Sequence, residues 1–125
     1  MKTRILLFVG ILILCSNLFA QPDSLWSHTY GGHVTDWCNA VQATADGGYV
    51  LAGKTQSFGA GSDDVWMVKT NGDGDSLWSR SFGGSSTEDC AAVLQTADGG
   101  YALAGHTSSF GAGASDMWLV KTDAV

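Results

Sequence analysis

Residues 44–53 read TADGGYVLAG and residues 96–105 read TADGGYALAG, an offset of 52 positions. The echo runs the length of 23–73 against 75–125 without a gap, and 31 of those 51 pairs are identical. A density of identity that high at one fixed offset marks an array built from a single supersecondary unit, written twice. The two units fill residues 23–125, so no separate catalytic domain is expected within that span.

Within a unit every local signal is for strands. SLWSRSF (76–82), CAAVLQT (90–96), YALAGHT (101–107) and DMWLVKT (116–122) are short runs rich in β-branched and aromatic residues, each closed by turn chemistry. ADGG at 97–100 is a tight hairpin loop in which Gly99 or Gly100 can take a positive φ at little cost. SSFGAGAS at 108–115 is a longer glycine-rich connection with Phe110 as its apolar anchor, and NGDGD at 71–75 links the units. No window shows helical periodicity. In DMWLVKT the alternation puts Asp116, Trp118 and Val120 on one face and Met117, Leu119 and Lys121 on the other. Both faces are largely apolar, as a sheet sandwiched between neighbouring sheets requires.

The expected fold class is therefore all-β: tandem four-stranded antiparallel blades of a β-propeller, two blades forming an incomplete ring. Blade one is assigned to 23–74 and blade two to 75–125, with the pairing of the last strand incomplete. SLWSHTYGG is expected to supply the outer strand of the first unit, and the small residues of CAAV the crowded inner strand of the second. The stretch GGSSTEDCAAVLQTADGGYALAGHTSSFGAGASDMWLVKT resembles the blade repeat of a family of exported bacterial and archaeal β-propeller proteins. Its members repeat variants of QTxDGGYxxAGxTxSFGAGxxDxWLxKT…GxxxWxxxxGG. The resemblance covers 23–125 and implies long secreted or cell-surface proteins with many blades, often followed by a surface-sorting domain. This chain departs from that pattern in length. Two blades leave an apolar face at each end, and closed propellers use roughly four to eight. The chain is accordingly expected to be a fragment of a longer product, or else to close by oligomerising, three copies giving six blades.

Residues 1–20 read as a secretory signal peptide. Lys2 and Arg4 precede the apolar run ILLFVGILIL, and small or polar residues lead to Ala20 before Gln21. A retained membrane anchor and lipid attachment at Cys15 are the alternatives. Removing that segment leaves four basic and twelve acidic side chains. An acidic exported domain is a poor partner for nucleic acid, whose affinity comes from Lys and Arg on phosphates, and for anionic membrane surfaces. No membrane insertion is expected once the leader is gone. The expected location is extracellular or at the cell surface, with the periplasm as a further possibility. Cys38 and Cys90 lie 52 apart; they are either small buried residues or a disulfide within or between chains, which export permits.

Chemistry is sparse. Asn71, Asp73 and Asp75 have the alternate-residue spacing of a calcium loop, but Ser76 and Phe82 stand where such a loop carries Gly and Glu. Calcium is the one cofactor these residues raise, and the default is none. Asp63, Asp64 and Asp116 open strands after glycine-rich loops, where capping of backbone N–H groups is the ordinary role. His28, His33 and His106 do not repeat, their counterparts being Arg80, Ser85 and Lys54. No nucleophile elbow, zinc set or dinucleotide fingerprint is complete, so no enzyme is expected. Trp26/Trp78 and Trp66/Trp118 recur in register and read as packing residues. Trp37 has Asp89 as its counterpart; with His33 and Asp36 beside it, it is the candidate ligand-binding spot. The function expected is a secreted, non-catalytic scaffold for protein interaction, its partners other blades or copies of itself. The alternative is a lectin-like, glycan-binding propeller assembled from two-blade chains. Mass spectrometry of the exported chain is expected to find Gln21 as its first residue.

Overall fold

The computed structural model describes residues 23–124, all-β and without a helix among them. The expected leader lies outside the described residues. Seven strands follow one another: β1 (Asp36–Ala43), β2 (Tyr49–Thr55), β3 (Asp64–Thr70), β4 (Ser76–Phe82), β5 (Glu88–Gln95), β6 (Tyr101–Thr107) and β7 (Asp116–Thr122). They form two antiparallel sheets, β1-β2-β3-β4 and β5-β6-β7. The sheets are out of phase with the written repeat. β4 opens the second unit, yet it pairs with β3, the last strand of the first, Val68 opposite Ser79 and Met67 opposite Arg80. One sheet thus takes four strands and the other three, where the repeat alone predicts four in each.

The expected outer strand of the first unit does not form: residues 23–35 pair into neither sheet. The edge of β3 that would receive such a strand is occupied by β4. The segment lies instead against the outer face of the first sheet, Trp26 meeting the Tyr49 ring edge-on at 5.9 Å. Trp78 of β4 meets Tyr101 of the second sheet in the same way at 5.7 Å. Residues 23–30 therefore hold, relative to sheet one, the place that β4 holds relative to sheet two.

The turns follow the sequence closely. Each ADGG loop puts its first glycine at positive φ, Gly47 at 84° and Gly99 at 82°. Asp46 and Asp98 accept from the backbone N–H groups of Gly48 and Gly100, both at 3.1 Å. A bulge interrupts the inner strand at the same point in both units, between Cys38 and Ala40 and between Cys90 and Ala92. It drives the opposing backbone close: a Cβ on Gly53 would stand 2.0 Å from the Trp37 carbonyl, and one on Gly105 1.9 Å from that of Asp89. That approach accounts for the glycine in each LAG triplet.

The core is the seam between the sheets. Val50, Ala52, Val65 and Met67 from sheet one meet Cys90, Tyr101 and Leu103 from sheet two, with Trp78, Phe82, Trp118 and Val120 around them. β5 packs across β1, β2 and β3. The loop before β3 also binds the start of β5, the Ser62 and Glu88 amides donating to the carbonyls of Ser86 and Asp63 at 2.9 Å. Met67 is fully buried in this seam. Met67→Ala is expected to lower the unfolding free energy by about 2–5 kcal/mol, read from denaturant titration.

Candidate functional site

Of the side chains singled out in the sequence, Asp36 and Trp37 come together and His33 does not join them. Both line a hollow of about 280 Å³ on the outer face of sheet one, with His28, Tyr30, Cys38, Leu51, Trp66 and Val68. The hollow exists because β1 and β2 present one apolar face outward, and residues 28–30 cover only part of it. Trp37 is 42% exposed and carries the Lys54 ammonium 4.6 Å above its ring. His33 is exposed on the preceding loop and is not among the lining residues.

Asp36 is held rather than free. Its carboxylate accepts from the Thr55 hydroxyl, from the Ser57 hydroxyl at 2.9 Å and from the Gly32 N–H at 3.0 Å. Glu88 occupies the equivalent place in the second unit. It accepts from the Thr107 hydroxyl at 2.8 Å, the Ser109 N–H at 3.1 Å and the Gly84 N–H at 2.9 Å. In each unit an acid at the first position of the inner strand ties the glycine-rich loop after the next strand to the loop before its own. The sequence reading missed this pair. The signal was an acid recurring at one repeat position, 19 residues before a T-x-S. Burial raises the Glu88 carboxyl, but the donors from Ser109, Gly84 and Thr107 outweigh it and the pKa is lowered. Asp36 is likewise lowered, burial being outweighed by Thr55, Gly32 and Ser57.

The other candidate residues serve the backbone. The Asn71 side-chain oxygen accepts from the amides of Asp73 at 3.0 Å and Asp75 at 2.9 Å, and its NH₂ donates to the Asp75 carboxylate at 3.0 Å. Asn71, Asp73 and Asp75 thus build an Asx-type turn between β3 and β4. Asp64 and Asp116 cap their loops, accepting from Gly61 at 2.9 Å and Gly113 at 3.0 Å. Asp63 pairs with Lys54 at 3.1 Å. Lys69 and Lys121 close the hairpins onto Asp46 and Asp98, holding both carboxyls well below the usual range. Among the described residues, no three His, Cys, Asp or Glu side chains cluster closely enough to hold a metal ion. Among the described residues Cys38 and Cys90 are free thiols, Cys38 exposed and Cys90 buried in the seam, where burial pushes its pKa up.

Because the Glu88 pKa is depressed in the folded state, its contribution is fully present above its ordinary value of 4.5 and is lost as pH falls through the depressed value. The denaturation midpoint is expected to drop across that acid range. Glu88→Gln, which turns an N–H toward the donors of Gly84, should cost about 1–3 kcal/mol at neutral pH and flatten the acid dependence. No protein-family model and no curated protein matches this chain.

Proposed function

We propose that the chain is a secreted, non-catalytic scaffold segment of the β-propeller kind, its sheets acting as blades. Its work is to hold rigid sheets face to face and to present the loops and faces they leave free to protein partners. The observation that carries this reading is the crossing of β4 from the second unit onto β3 of the first. The two repeat units are then stitched together by backbone pairing within sheet one, and the sheets by apolar contact and the loop bonds Ser62–Ser86 and Glu88–Asp63. A unit built this way extends by repetition and gains stability from each neighbour it acquires. The polar side chains of conspicuous spacing are engaged in turns and caps, which supports a structural role for them. The proposal invokes no cofactor, and a rise in melting temperature with calcium that a chelator reverses would bring back the turn at Asn71, Asp73 and Asp75.

The aromatic walls of the hollow at Trp37 favour one second reading, glycan stacking in a lectin-like assembly. A glycan array probed with the purified chain separates the two. No glycan retained above background is the expected outcome. Retention that disappears in Trp37→Ala would replace the scaffold with a lectin.

A further inference from the structure

The seam between the two sheets has two halves, and each half recurs without a partner at one end of the molecule. Sheet one enters the seam with Val50, Ala52, Val65 and Met67. Shifted by 52 residues, these become Ala102, Ala104, Met117 and Leu119 on the free face of sheet two, where Met117 is 93% and Leu119 71% exposed. Sheet two enters with Cys90, Tyr101 and Leu103. Their counterparts, Cys38, Tyr49 and Leu51, lie on the free face of sheet one. The strand edges repeat the pattern. β7 is the outer strand of its sheet, whereas its counterpart β3 pairs with β4. Residues 23–27 spell DSLWS, as do 75–79 at the start of β4, and they pair with neither sheet.

We propose that a second copy of this chain docks head to tail on the first. Sheet two of one copy covers the free face of sheet one of the next, and residues 24–30 of that next copy add to β7 as its fourth strand. The inference rests on the scaffold reading and names its partner. The β3–β4 register carries over, so Val68 opposite Ser79 becomes Val120 opposite Ser27.

Two details of the molecule fit this occupant. The first is the hollow. On sheet two the equivalent spot, framed by Cys90, Leu103, Gly105, Trp118 and Val120, includes Val65 of sheet one in its lining, and the space left is about 0 Å³. On sheet one the same frame stands open at about 280 Å³. The counterpart of Val65 is Met117, a longer and more adaptable plug.

The second is the set of positions that break the repeat. Across the seam the Asn39 amide donates to Asp89 at 2.7 Å, and the Gln95 N–H donates to the Gln42 side chain at 2.6 Å. Between copies the same positions hold Ala91 against Trp37 and Leu94 against Ala43. In both pairs the two members change together from polar to apolar, so neither place strands a polar side chain. Trp37, the exposed aromatic without a repeat counterpart, thereby gains a partner. Head-to-tail contacts of this kind close into a ring or grow into a filament, depending on the rotation per copy.

Sedimentation velocity of the purified chain tests the proposal, read with thiol labelling of Cys38. The expected result is an assembly of two or more copies in which Cys38 is protected, as Cys90 already is. Met117→Asp, at a position exposed in the single chain, should keep the β-sheet circular dichroism, weaken association by about a hundredfold or more and open Cys38 to labelling. In a Cys38→Ser background, chains carrying Ser27→Cys mixed with chains carrying Val120→Cys should cross-link on mild oxidation. A folded wild-type monomer at about 100 μM overturns the assembly and leaves the scaffold reading standing. An assembly unchanged by Met117→Asp, or one that never cross-links in this register, overturns the docking mode. Glycan retention would remove the scaffold reading without altering the sedimentation result.

Discussion

A β-sheet that is apolar on both faces cannot be stable alone, and every other feature of this molecule depends on how that need is met. Sheet one buries Val50, Ala52, Val65 and Met67 against sheet two. Its opposite face is covered in part by Trp26, His28 and Tyr30 from the segment that precedes β1. Burial of apolar surface, at about 25 cal/mol per Å², is the driving force. It acts through flat surfaces that fit copies of themselves, so the favourable contact is always with a neighbour of the same design.

Backbone pairing gives that contact direction. Because β4 belongs by sequence to one unit and by hydrogen bonding to the other, the two repeat units cannot part without breaking the β3–β4 ladder, while the sheets are joined through the backbone bonds Ser62–Ser86 and Glu88–Asp63. Trp78, projecting from β4 onto Tyr101, adds packing to the same link. The carboxylates of half-buried Asp36 and buried Glu88 complete the arrangement from the loop side. Asp36 and Glu88 gather backbone and hydroxyl donors from loops that would otherwise leave those groups unsatisfied next to an apolar core. The acids at the loop ends accept from backbone N–H groups, and the lysines close hairpins.

Much of this was legible from the residues. β4, β6 and β7 fall where alternation and turn chemistry put them, and β5 begins two residues earlier than expected. The positive φ at Gly99 and the apolar role of Phe110, 5.6 Å from Trp118, also follow from local signals. The recurring tryptophans pack as expected, Trp66 against Phe58 and Trp78 against Tyr101. The candidate site was legible only in part. Trp37 and Asp36 both border the hollow because they are consecutive on β1, one on each face of the strand, whereas His33 sits on a loop whose course no local pattern describes. The common role of Asp36 and Glu88 as loop ties was not legible because their partners, Thr55 with Ser57 and Thr107 with Ser109, lie about twenty residues away and across a strand.

The sequence by itself determined the unit: its length, its strands, its turns and the two-sided apolar pattern that demands neighbours. Those are local properties, encoded in side-chain alternation and glycine placement within a few residues. Only the tertiary structure decided where one sheet ends and the next begins. A strand such as β4 carries the same pattern whichever edge it joins, and the choice falls to the edge left open by the strand before it. The same long-range competition leaves residues 23–30 against a face instead of within a sheet.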